Sequence, residues 1–164
     1  MRFAAALAIL VIVVSLQTAV LPALTILGAH PQLLLVVAML WTIVRGPDEG
    51  RVVVFSTALL HGLLASAPAG FPLIAMAPVI PLAMLRDAGF VSSRFVMALL
   101  LVGIATLFYE ALYTLLLTIT EGGVNPLVTG YRVYLPAVIV NVAFVPVVYF
   151  LLHRLSWDLR ARRY

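Results

Sequence analysis

Four polar side chains sit deep inside apolar stretches of this chain: Gln17, His61, Glu110 and Asn141. Glu110 lies within LFYEALYTLLL, residues Leu107 to Leu117. A carboxylate in hydrocarbon is expensive, so this one must face a protein interior or hold a proton. Gln17 and Asn141 carry amides, each with two donors and one acceptor. An acid with two amides suits a proton relay or a ligand site. It equally suits a hydrogen-bonded knot that fixes helix packing. The residue types alone leave both readings open. His61, set among Ala, Leu and Gly, has the same choice between proton exchange and plain packing.

Depth can be counted from the arginine that flanks each run. Gln17 is 15 residues from Arg2, Glu110 is 16 from Arg94, and Asn141 is 13 from Arg154. On a helix rising 1.5 Å per residue, all three fall about 20–24 Å deep, in one layer. His61 is 10 residues from Arg51. That is about 15 Å, a mismatch that argues against direct contact with Glu110.

The elements that must position these groups are membrane helices. Hydrophobic residues make up 65% of the 164-residue chain and charged residues only 10%, against roughly 25% charged in soluble domains. Apolar runs consume most of the length, so the reading is one membrane domain, residues 1–164, with no soluble head. Six spans are expected, at about 3–28, 32–44, 52–67, 71–85, 95–120 and 133–153. The fold class is therefore an all-α polytopic membrane protein. The alternating pattern of a membrane barrel is absent, and lipid permits little besides helices. The connections AHP, RGPDEGR, SAPAG, RDAGFVSSR and EGGVNPLVTGYR carry turn residues.

Spans two and four are short, roughly 20 Å against a core of about 30 Å. Span four also holds Pro72, Pro78 and Pro81. Kinked elements sheltered by neighbouring protein are expected there. All ten basic residues are arginines. With six spans, Arg132 alone lies on one side and the other nine share the opposite side. That asymmetry puts both termini in the cytoplasm. Residues 1–19 pass for a leader peptide, but removing them would spoil this charge count, so they are read as the start of span one.

In span three, Ala58, Gly62 and Ser66 repeat at four-residue spacing. Such a stripe lets helices approach closely, within the chain or against a partner helix. The tail HRLSWDLRARRY places Arg154, Arg160, Arg162 and Arg163 beside Trp157. It reads as an anchor on an anionic leaflet, with docking to a cytoplasmic protein as the alternative. The net charge of +4 belongs to these flanks, so no nucleic-acid partner is expected.

No catalytic set accompanies Glu110. There is no second membrane acid, no HExxH, no GxSxG, no phosphate loop and no cysteine. No enzyme activity, cofactor or metal site is expected.

The segments SLQTAVLPAL, AHPQLLLVVAMLW and RGPDEGR resemble the first third of the rod shape-determining protein MreD family. Gln17, Pro22, Pro31 and Trp41 fall where that family places similar residues. ALLHGLLASAPAG resembles its third span, FYEALY its acid-bearing fifth span, and VNVAFVPVVYFLLHRL its last, with Asn141, Pro146 and Arg154 in place. One departure stands out: the family's third-span aspartate has no counterpart around His61 and Gly62, so no role tied to it carries over. The resemblance implies a non-enzymatic inner-membrane scaffold of the bacterial cell-elongation and peptidoglycan machinery. It implies binding to MreC, and links to MreB, a RodA-type glycan polymerase and a class B transpeptidase. It also implies a fold similar to the six-helix substrate-binding subunits of energy-coupling vitamin transporters. The alternative function is a vitamin-like small-molecule binding subunit of a membrane transporter, motivated by the mid-depth polar layer beside an irregular span.

Overall fold

Apolar runs flanked by arginine and broken by glycine and proline satisfy their backbone internally as helices, and helices are what the chain forms. The structure, a computed structural model, describes residues 11–17, 30–64, 68, 70–87, 91–122 and 130–161. Among them every regular element is helical. We number them α1 (11–17), α2 (Leu33–Arg45), α3 (Pro47–Leu64), α4 (Gly70–Met76), α5 (Val79–Met84), α6 (Arg94–Glu121) and α7 (Leu135–Ala161). A 3₁₀ turn, Leu85–Asp87, follows α5, and a π-helical turn, Gly130–Tyr134, leads into α7. Three described stretches are long and apolar enough to cross a membrane: Gly70–Asp87, Arg94–Glu121 and Arg132–Arg154.

The organising element is the short one. In α2 every residue from Leu33 to Ile43 is buried, and the helix touches α3, α5, α6 and α7. A helix that is apolar all round belongs in the middle of a bundle. At 13 residues it is about 20 Å long, short of a bilayer core of about 30 Å. Its two ends therefore meet different surroundings. The Arg45 end is marked by charge, and the Leu33 end stops inside protein.

The join between α2 and α3 is a single residue. Gly46 adopts φ +101, a backbone that side chains disfavour, and its N–H donates to Thr42 O. Pro47 then opens α3 where a missing N–H costs nothing. Asp48 and Glu49 follow in its first turn, where carboxylates suit the helix dipole. The expected RGPDEGR loop is thus mostly helix, and α3 begins five residues before the expected 52. Glu49 also reaches back to pair with Arg45 at 3.4 Å.

Gly50 lets α2 and α3 close on each other. A Cβ there would lie 2.5 Å from the side chain of Thr42. This contact was not apparent in the sequence, because Gly50 sits in a stretch that reads as a turn.

The proline-rich span is broken as its residues require. Helices α4 and α5 are separated at Ala77–Pro78, where Ala77 N–H falls back on Ile74 O at 3.2 Å and Pro78 has no N–H. Ser93 opens α6, its Oγ accepting from Val96 N–H. Gly122, at φ +68, closes it. Leu100, Ile104, Leu107, Phe108, Leu115 and Ile119 of α6 are exposed, an outward apolar row suited to lipid. The last helix runs to Ala161, past the expected 153, since LSWDLRA holds no helix breaker.

Ala58 and Gly62 are both buried within the chain, and α3 packs on α2, α4 and α5. At these two positions the small residues are packed within the chain. The third member of the stripe, Ser66, lies outside the described residues, as do Arg162 and Arg163. Arg160 is part of α7. Arg154 is exposed, with its guanidinium 4.9 Å from the Phe150 ring.

Candidate functional site: a capped half-length helix

A helix that starts inside a protein leaves backbone N–H groups without water. In α2 those groups are met by the polar side chains that the depth count puts in one layer. Gln32 N–H donates to Asn141 Oδ1 at 2.8 Å. Leu33 N–H donates to Gln17 Oε1 at 2.9 Å, and Gln17 Nε2 donates to Pro31 O at 2.9 Å. Gln17 thereby holds one donor and one acceptor of the incoming backbone. Gln32 Nε2 donates to Glu110 Oε1 at 2.5 Å. Asn141 Nδ2 donates to Thr106 Oγ1 at 3.2 Å, and that hydroxyl donates to Val102 O at 2.9 Å.

The depth match has a physical cause. Helix α2 rises about 20 Å from its Arg45 end, and the three side chains lie about as far from their own arginines. They meet because the half-length helix ends in their layer. Asn141 is fully buried and Glu110 is 8% exposed. Gly103, one turn before Thr106, brings α6 close to Val138 and Val142 of α7, which sets Asn141 against Thr106.

Two members of the site, Gln32 and Thr106, carry little signal in the sequence. Gln32 reads in the sequence only as the first residue of span two. The available signal was an amide at the start of a run too short to cross. Thr106 carries no such signal, because threonine commonly bonds its own helix. It precedes Glu110 by four residues, on the same face.

His61 joins a neighbouring cluster. Its Nδ1 lies 3.2 Å from Tyr109 Oη, and the rings stack at 5.9 Å. Tyr109 stacks on Tyr113 at 5.7 Å, and Phe71 meets Tyr113 edge-on. The ladder ties α3, α6 and α4 together. The depth count put His61 too shallow because Arg51 is already a turn inside α3. Counted from Pro47, His61 is 14 residues in, about 21 Å, which suits Tyr109, the neighbour of Glu110.

The opposite end of α2 is capped too. Arg86 Nη1 donates to Thr42 O at 3.2 Å and also to Ile43 O. A cation at a helix C-terminus suits the dipole. Side chains from four other elements thus grip α2 at its ends.

Gln32 Oε1 is buried with no hydrogen-bond partner among the described residues. This sets up a prediction for Glu110. In Glu110→Gln the new amide keeps the acceptor for Gln32 Nε2 and adds a donor for that oxygen. Unfolding in mixed micelles is expected to place it within about 1 kcal/mol of wild type. Glu110→Leu supplies neither and is expected to lose about 2 kcal/mol. Equal losses for both variants would show that the carboxylate itself is required.

Among the described residues no cluster of His, Asp and Glu is arranged to hold a metal ion. Compared with known proteins, the chain matches no family model, no curated protein and no solved structure.

Proposed function

We propose that this chain is a non-enzymatic membrane scaffold of the MreD kind. It has six spans and both termini on the cytoplasmic face of a bacterial inner membrane, and it helps to position the peptidoglycan-synthesis machinery of cell elongation. The observation that carries this reading is how the intramembrane polar groups are used. Gln17, Asn141 and Glu110 make their hydrogen bonds to the entry of α2. Polar groups committed to holding a helix end support a packing role over turnover. The same observation weighs against the vitamin-binding alternative, because the layer where a ligand would sit receives the end of α2. The implied likeness to the substrate-binding subunits of energy-coupling transporters is then one of helix arrangement.

The partner in this reading is MreC, engaged through its transmembrane helix, with MreB, a RodA-type glycan polymerase and a class B transpeptidase further out. The outward apolar rows offer the contact surface. On α3 these are Val52, Phe55, Leu59 and Leu63, all exposed. The test is co-purification of MreC with the full chain from native membranes, in mild detergent. Recovery of both proteins together is expected. Recovery of this chain alone, with a vitamin-like ligand found by mass spectrometry, would replace the scaffold with the transporter reading.

A further inference from the structure

A cavity of about 200 Å³ opens at the arginine-bearing end of the bundle, lined among others by Ile43, Arg86, Asp87, Arg94, Tyr149 and His153. It lies where α2 ends, α6 begins and α7 passes. We propose that it seats the phosphate group of an anionic phospholipid from the leaflet that meets this end.

The charge balance favours an anion. Arg86 and Arg94 bring two positive charges. The N-terminus of α6 adds about half a charge, and the C-terminus of α2 removes about as much. Asp87 offsets one more, but it is 75% exposed while the Arg86 side chain is 27% exposed, so its charge is the better screened. The balance stays positive by about one charge.

The geometry favours it as well. Arg86 is held in place by Asp87 Oδ2 on Nε at 3.0 Å and by the α2 carbonyls on Nη1. A guanidinium fixed on two sides is pre-organised to present its remaining N–H groups. Arg94 has no acidic partner among the described residues. Its donors are therefore available to a phosphate oxygen. The Tyr149 hydroxyl supplies a further donor type in the lining, and its ring is braced between His153 at 6.0 Å and Phe95 at 5.5 Å.

Apolar neighbours commit the site to a lipid rather than a free phosphate. Phe95 and Val96 follow Arg94 and are exposed. Phe150 and Leu151 follow Tyr149 and are exposed. Acyl chains hanging from a head group in the cavity have apolar surface on both α6 and α7. Basic pockets between membrane helices commonly take anionic head groups in this way.

The test uses the full chain in detergent, with native mass spectrometry and thermal unfolding. Wild type is expected to retain phosphatidylglycerol through delipidation and to be stabilised by adding it back. Phosphatidylcholine and inorganic phosphate are expected to do neither. Arg94→Gln is expected to weaken phosphatidylglycerol retention about tenfold, one charge-assisted pair, with unchanged unfolding in lipid-free detergent. Arg51→Gln, on an exposed arginine paired with Asp48, is expected to retain lipid like wild type. Equal retention of phosphatidylcholine overturns the proposal on wild type alone. So does an equal loss in Arg51→Gln, which would mean diffuse attraction. Full stabilisation by inorganic phosphate would make the occupant a soluble anion.

Discussion

Asn141→Leu is expected to lower stability by about 2 kcal/mol, although leucine is the commoner residue in a membrane helix. Asn141 Oδ1 is the acceptor for Gln32 N–H. Without it that donor is orphaned away from water, at a cost of about 1–3 kcal/mol. Thr106 suffers less, since its hydroxyl still donates to Val102 O. Gln17→Leu should do comparable damage by freeing Leu33 N–H and Pro31 O. The two losses should fall short of adding. Once one cap is gone the first turn of α2 unwinds, and the second has less to hold. Unfolding of both single variants and the double variant in mixed micelles measures this. A double variant whose loss equals the sum of the singles would mean that the caps act independently.

The second large effect is expected at Gly50. A Cβ there meets Thr42 Oγ1 and Cγ2 at 2.5 Å and Thr42 Cβ at 2.8 Å. Gly50→Ala should therefore cost about 1–3 kcal/mol by overpacking, and Gly50→Leu the upper end of that range or more. Adding Thr42→Ala to Gly50→Ala removes the two nearest atoms and leaves the third. Partial rescue is the expected outcome, read as recovered thermal stability and monodisperse purification. No rescue at all would place the strain elsewhere than between α2 and α3.

The sequence showed the depth of the site more clearly than its purpose. Arginine-anchored counting put Gln17, Glu110 and Asn141 in one layer because rise per residue is nearly constant in a helix. It could not say what filled that layer, since the occupant is a backbone end and backbone N–H groups have no signature in residue type. Helix boundaries failed where turn residues do double duty. Gly46, Pro47, Asp48 and Glu49 read as a loop, yet each suits a helix terminus, so a single residue suffices to turn the chain. For the same reason His61 sits deeper than a count from Arg51 places it, beside Tyr109. Arg86, counted as a flank charge, caps α2 from more than forty positions away, and no local pattern announces such a pairing. Ala58 and Gly62, spaced for close approach, are both buried. That their neighbours are helices of the same chain follows only from the central place of α2.

The long reach from Gln32 to Asn141 also orders the making of the protein. Gln32, at the entry of the second helix, leaves the ribosome 109 residues before the side chain that accepts its N–H. Gln17, made earlier, can already hold Leu33 N–H and Pro31 O, but until α7 arrives Gln32 N–H has no acceptor. A chain cut before Asn141 would be incomplete at its beginning as much as at its end.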